Sequence, residues 1–272
     1  MREYDATIFT IATGKYLDYF AIQLPQIAKH YAPGRTVQVI VATDRIDQLP
    51  VSSDPRVTTQ YVTSPAYGWP EITLLRYEQI QAHKHLIKGQ TLMWLDTDME
   101  FLSDIPFEVI VGNGDAPNFA RHPGFVWSTA KASWLNPIGL ARQLAPWLRA
   151  LFLGQRGAGT WETRRASKAY VPAKNRRTYA HGAVWGGVTE LVLEMVELLA
   201  KRTREDYEVG TVAVWHDESH LNWYVANYKA NAYPLGLSAW KKTWQYDARF
   251  SFFNSLDKSE LDAKLVGQVN SQ

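Results

Sequence analysis

Strand-like runs alternating with helix-period stretches constrain this chain more than any other feature. "ATIFTIAT" (6–13) reads as a buried strand, and Leu17, Phe20, Leu24 and Ile27 follow at helical spacing, with Pro25 expected to kink or restart the helix. "TVQVIVATD" (36–44) is β-branched and apolar, as an interior strand is. "PEITLLRYEQIQAHKHLI" (70–87) reads as one helix with Pro70 in its first turn, and "TLMWLDTDMEF" (91–101) as one strand whose apolar run ends in carboxylates. Strand, helix, strand, helix, strand predicts an α/β fold on a mostly parallel sheet. Ligands of such sheets bind beyond the carboxyl ends of the strands, where Asp96 and Asp98 fall. Further on, "VTELVLEMVELLAKRT" (188–203) predicts a helix that buries Leu191, Met195, Leu198 and Leu199 and turns Glu190, Glu194 and Lys201 to solvent.

No Pro/Gly/Ser-rich linker divides the 272 residues, so one domain is expected. A net charge of +2 makes no case for a nucleic-acid binder. The absence of cysteine excludes disulfides, iron–sulfur clusters, thiolate zinc sites and cysteine nucleophiles. The stretch "MREYDATIFTIATGKYLDYF" shows neither a signal peptide nor a membrane anchor, which predicts a cytoplasmic protein.

Four motifs carry candidate chemistry. In "LDTDME", Asp96 and Asp98 stand two apart in an expected extended segment, so both carboxylates face one way. Their hard oxygens suit Mg²⁺ or Mn²⁺, although two loop acids at a strand end would look the same. Arg76 interrupts an apolar helix face, where it needs an anionic or carbonyl partner, whether a structural acid, one of these aspartates or a ligand phosphate. "HGAVWGGVTE" (181–190) sets Gly182, Ala183, Gly186 and Gly187 before a helix, as a close approach to a ligand or a tight strand-to-helix turn requires. In "WHDESHLNWY", His216 and His220 would share a helix face as zinc-peptidase ligands do, but Asp217 takes the place of the expected glutamate and Glu218 comes one residue late. A helix start capped by Asp217 or Ser219 is the plainer alternative. "GQRGAG" (154–159) lacks both the preceding strand and the Lys-Ser/Thr ending of a phosphate loop.

"WPEITLLRYEQI", "MWLDTDMEF", "RHPGF", "TWETRRASKAYVP", "AHGAVWGGV" and "WHDESHLNWY" occur in the order and approximate wording of one family. Over roughly Ile8 to Tyr224 the chain resembles the histo-blood-group and α-1,3-galactosyltransferase family, glycosyltransferase family six. The resemblance implies a GT-A fold with a Rossmann-like nucleotide-binding half (about 1–110) and an acceptor and donor-sugar half (about 111–272). It implies a retaining enzyme that moves galactose from UDP-galactose to the 3-OH of a galactoside-type glycan, with UDP-N-acetylgalactosamine as the alternative donor. Asp96 and Asp98 match the motif that holds Mn²⁺, or Mg²⁺, and through it the diphosphate; Arg76 matches the arginine beside it. Ala12, Thr13 and Tyr16 fall where relatives hold uridine, and Lys258 and Lys264 have the spacing of the basic tail that closes over UDP. His181, Gly182 and Ala183 match the donor-sugar selector in its galactose-type form, beside Asp217 and the catalytic Glu218. His122, Thr160, Trp161, Trp215 and, in the tail, Asp247 match acceptor contacts.

In that reading Glu218 is either the nucleophile of a covalent route or the stabiliser of the cation in a front-face route. Two readings of other classes are a zinc hydrolase built on His216 and His220 and a catalytically silent sugar-binding domain. Animal relatives carry a Golgi anchor that this sequence does not show, which implies a bacterial or phage-type member. The chain departs from the family in an inserted segment, about 134–155. Within 136–154, Asn136, Pro137 and Gly154 predict a helix with Leu140, Leu144, Trp147, Leu148 and Leu151 on one face, Arg142 and Arg149 opposite, and a kink at Pro146. That face fits a peripheral membrane contact, for instance with a lipid-linked oligosaccharide acceptor, or packing on the protein's own core or a second subunit.

Overall fold

The computed structural model describes residues 2–45, 47, 49–125, 137–233, 237–240, 253–256 and 258–269. Strand β1 (Tyr4–Ile11) leads into α1 (Tyr16–His30), followed by β2 (Val37–Thr43) and β3 (Val57–Thr63). Next come α2 (Glu71–Leu74), α3 (Arg76–Ala82), β4 (Gly89–Leu95), β5 (Met99–Phe101) and α4 (Phe107–Val111). Then β6 (Asn118–Arg121), α5 (Pro137–Phe152), β7 (Ala180–Val188) and α6 (Thr189–Glu208) build the second half of the central sheet and its cover. The elements after these are α7 (His216–Asn227), β8 (Asn231–Ala232), β9 (Leu237–Trp240), β10 (Phe253–Ser255) and α8 (Lys258–Val269).

The central sheet runs β3-β2-β1-β4-β7-β6-β8, and a small sheet runs β5-β10-β9. β3 to β4 are mutually parallel, β7 is antiparallel to both β4 and β6, and β8 returns parallel to β6. Successive side chains of each strand point to opposite faces and so feed two cores. On one face Ile8, Val39, Val41, Met93 and Leu95 pack on Leu17, Phe20, Leu24 and Ile27 of α1. On the other, Phe9, Ile40, Leu92 and Trp94 pack on Tyr77 and Ile80 of α3 and on α6. All seven residues of β2 are buried, as a parallel strand covered on both faces requires.

Several expectations need correction. Helix α1 runs unbroken through Pro25, whose missing N–H leaves only the carbonyl of the exposed Ala21 to solvent. Residues 70–87 form two short helices broken at Leu75 and then a 3₁₀ turn over 84–86. The run 91–101 is split: Asp96, Thr97 and Asp98 form a turn between β4 and β5, which belong to different sheets, so the two acids are not in extended backbone. The buried stripe of α6 is Val192, Met195, Val196 and Leu199, with Leu191 and Leu198 only half-buried on its flanks. Gly182 to Gly187 form no turn but lie inside β7, and a Cβ on Gly186 would stand 2.4 Å from the Leu92 carbonyl oxygen. Gly186 therefore serves strand packing and not a ligand.

Candidate active site

The site is assembled where β4 and β7, running in opposite directions, lie beside the start of α7. Beyond β4 the Asp96 amide donates to the Ala183 carbonyl (3.0 Å), and the buried Gln23 amide of α1 donates to the carbonyls of Asp96 and Met99, both at 2.8 Å. Those bonds fix the turn that presents the two acids. The Asp96 Oδ1 accepts from the Trp94 indole N–H (2.8 Å) and from Arg76 (3.4 Å). Burial, and then the Asp96 carboxylate beside it, push the Asp98 carboxyl well above the usual range. Two crowded hard carboxylates fit a divalent oxygen-seeking cation, whose charge would relieve their repulsion.

Arg76 opens α3 and is only 6% exposed. Its guanidinium donates to the Gly182 carbonyl (3.0 Å), lies 3.1 Å from Asp217 Oδ2 and stacks 4.4 Å over the Trp94 ring. Burial works against its charge, yet Asp217 and Asp96 together hold its pKa above the ordinary value. The partners of this arginine are thus two aspartates and a carbonyl, which ties β4, β7 and α7 to one cation.

Helix α7 begins at His216, whose φ of +44° is left-handed, and Trp215 N–H donates to Ser219 Oγ (2.9 Å). Asp217 is buried, and burial raises its carboxyl to about 7 against the pull of Arg76. Glu218, half-buried, accepts the Gly182 N–H at Oε2 (2.8 Å). Burial likewise raises its carboxyl to about 7, opposed by that N–H and by the Tyr179 hydroxyl. Opposite them His122 and His181 lie ring against ring, 4.9 Å between centroids. Ligand atoms of His122, His181 and Glu218 come within 4.8 Å of one another, close enough for a metal ion. However, His122 Nδ1 accepts from the Gly124 amide and His181 Nδ1 from the Ala183 amide, each at 3.1 Å. In the neutral rings, which burial enforces, the proton then resides on Nε2. Both rings are N–H donors there, which suits hydroxyl oxygens better than a cation.

The zinc arrangement does not form. His216 sits 3.3 Å from Thr73 Oγ1 and edge-on to Trp69, whereas His220 is fully buried 3.5 Å from Asp206. Among the described residues no candidate metal cluster contains either histidine.

Two cavities adjoin one another, sharing three lining residues. The smaller, about 150 Å³, is lined by Thr13, Tyr16, Trp94, Asp96 and Asp98; the larger, about 410 Å³, by His122, Thr160, His181, Trp215, Asp217 and Glu218. Thr73, Arg76 and Asp96 line both. Gly182 and Ala183 also line the larger one, and Trp215 is half exposed at its rim. Trp161 lies behind Thr160, buried against Val171 and Tyr179. Lys258 stands 5.0 Å over the Tyr16 ring at the edge of the smaller cavity. The Ala12 side chain is in the core and Lys264 is spent on Glu100 (3.2 Å), so neither expected contact is at the cavities; Asp247 lies outside the described residues. Sequence reasoning missed Trp94 and Gln23, which hold Asp96, and Tyr179, which bears on Glu218. An aromatic residue in a strand reads as core, and only the position of Tyr179 two residues before His181, on the same side of an extended segment, hinted at it.

A mostly parallel sheet with a carboxylate turn at the mouth of β4 and a cavity beside it has the architecture of a GT-A type glycosyltransferase domain. Comparison with known proteins narrows the class. The family described as Glycosyltransferase family 6 matches residues 137–248. Histo-blood group ABO system transferase 2 of Rattus norvegicus is 27% identical over 231 residues, 82% of this chain and 59% of its own length. Globoside alpha-1,3-N-acetylgalactosaminyltransferase 1 of Gallus gallus is 27% identical over 82% of this chain and 57% of its own. The O-antigen biosynthesis glycosyltransferase WbnI of Escherichia coli is 22% identical over 80% of each. The chain is thus similar to glycosyltransferase family 6 over residues 137–248 and to these transferases over 82% of its length. It spans under three-fifths of the length of the animal relatives.

Proposed function

We propose that the protein is a retaining hexosyltransferase that moves galactose from UDP-galactose to the 3-OH of a galactoside-type glycan, forming an α-1,3 linkage. The observation that carries this reading is the pair of adjoining cavities, with Asp96 and Asp98 lining one and the Glu218 carboxylate, held by the Gly182 N–H, lining the other. The nucleotide lies against Thr13 and Tyr16 with Lys258 at its edge, the donor sugar against His181, Gly182, Ala183 and Asp217, and the acceptor between His122, Thr160 and Trp215. A Mn²⁺ ion, or Mg²⁺ in its place, held by Asp96 and Asp98 neutralises the diphosphate when bound.

During transfer the bond from the anomeric carbon to UDP breaks, its electron pair leaving with UDP, and the acceptor oxygen bonds to that carbon on the same face. The acceptor proton leaves with the departing diphosphate. Glu218 supplies negative charge beneath the electron-poor carbon, and Arg76 keeps Asp96 and Asp217 in register with it. The Nε2–H groups of His122 and His181 orient sugar hydroxyls. The galactose preference rests on His181 and Ala183; the similarity to globoside alpha-1,3-N-acetylgalactosaminyltransferases favours N-acetylgalactosamine as the second reading.

The test is transfer and calorimetric UDP binding with and without Mn²⁺. Asp96→Asn or Asp98→Asn is expected to abolish transfer and the Mn²⁺-dependent part of UDP binding, and UDP-galactose to exceed UDP-N-acetylgalactosamine in kcat/KM. Full activity in chelator without added metal would refute the metal site, and the reverse preference would refute the donor.

A further inference from the structure

Helix α5 is amphipathic, but its bulky side is turned outwards. Ala145, Pro146, Arg149 and Ala150 lie over a groove of about 700 Å³, and Ala150 is only 4% exposed. On the other side Leu144, Trp147 and Leu148 are 37%, 38% and 51% exposed, and Leu151 and Phe152 are 73% and 89% exposed. Leu153, past the helix end, is 51% exposed. The helix therefore buries Ala150 and presents Leu144, Trp147, Leu148 and Leu151 to solvent, the reverse of what core packing produces. A contiguous patch of this kind marks an interaction surface.

The charge of the sequence that holds α5 points to its partner. Between Asp115 and Glu162 the sequence holds no acidic residue, although acids make up 27 of 272 residues, and it holds Arg121, Lys131, Arg142, Arg149 and Arg156. A second copy docked here in two-fold fashion would set this acid-free, cationic segment against itself. An anionic lipid surface complements both the charge and the apolar face. No helix among the described residues is long and apolar enough to cross a membrane, so α5 would lie in the plane of the headgroups.

We infer that the outward face of α5 docks the protein on an anionic lipid bilayer. The docking rests on surface chemistry alone. Its use rests on the proposed transferase activity: the groove beneath α5 shares Phe125 and Thr160 with the larger cavity, so a glycan anchored in that bilayer has a path to Glu218.

Co-sedimentation of the full chain with vesicles, without donor or acceptor, tests the docking apart from catalysis. The wild type is expected to pellet with phosphatidylcholine–phosphatidylglycerol vesicles at low salt, and much less with phosphatidylcholine alone or at high salt. Leu148→Glu with Leu151→Glu, both on the exposed side, should reduce the bound fraction about tenfold. Arg149→Glu with Arg156→Glu should also weaken binding, and carries the test if the leucine variant fails to fold. Wild-type protein left in the supernatant with anionic vesicles at low salt overturns the inference, as does undiminished binding by the folded variants. A dimer in sedimentation velocity that the leucine variant splits assigns the face to a second copy and overturns it too. Transfer to a soluble acceptor is measured separately, so an inactive protein that pellets refutes the activity and leaves the docking standing.

Discussion

Glu218 is poised by opposing effects, of which burial is the largest. Burial raises its carboxyl to about 7, while the Gly182 N–H and the Tyr179 hydroxyl favour the ionised form. A carboxylate held this way stabilises positive charge close by without first being desolvated. Glu218→Gln keeps the shape and removes that charge, so transfer should fall about 10²–10³-fold while UDP affinity in calorimetry stays within about twofold. Parallel loss of both would make Glu218 a structural residue. At this scale the sequence was informative wherever a polar group stood in an unusual context: Asp96 after an apolar run, Arg76 on an apolar face, Glu218 among histidines. It was silent where a functional residue looks like core, as Trp94 and Tyr179 do.

Strand β7 shows what an element adds to its residues. It carries Gly182 and Gly186 four residues apart, so both point to one face, yet they meet different neighbours. A Cβ on Gly182 would come within 3.2 Å of Glu218 Cβ, 3.3 Å of its Oε2 and 3.4 Å of Asp217 Oδ2, all side-chain atoms that can shift by a few tenths of an ångström. A Cβ on Gly186 would meet backbone, the Leu92 carbonyl at 2.4 Å and Met93 Cα at 2.8 Å. Gly182→Ala should therefore lower turnover with little change in urea stability. Gly186→Ala should cost about 1–3 kcal/mol of stability, because the β4–β7 pairing has to open to admit the methyl group. Equal stability losses in the two variants would contradict this division. The parallel strands β1, β2 and β4 were legible because their apolar runs are buried on both faces, whereas the half-exposed β3 was not. The split of 91–101 was not, because "LDTDMEF" keeps strand-like residues on both sides of its turn. Nor was the reversed direction of β7 legible, since strand direction is set by partners far away in sequence.

Across the whole molecule, burial of titratable groups makes stability depend on pH through opposing contributions. The acids Asp217 and Glu218, raised to about 7, favour the folded state increasingly as pH falls towards their unfolded values. His122 and His220 act the other way. Burial lowers His220 from 6.5 to about 4, against the pull of Asp206; Arg202 adds to the lowering and Glu162 opposes it weakly. The unfolded imidazole takes its proton before the folded one does. The stability His220 contributes is therefore complete above about 6.5 and is lost as pH falls towards about 4. A variant that removes only this group separates its share, because the other shifted groups, Asp98 and His181 among them, titrate alike in both proteins. His220→Leu is suitable: neither ring nitrogen has a hydrogen-bond partner, and Asp206 keeps the Ser167 hydroxyl (2.7 Å) and the Lys168 amide (2.8 Å). Urea unfolding should show the wild type losing about 2 kcal/mol more than the variant between about pH 7 and about pH 5. Parallel curves would contradict the lowered pKa, and a wild type that loses less than the variant would mean that His220 is protonated in the fold across this range and paired with Asp206. The buried His220–Asp206 contact would then be an ion pair linking α6 to α7.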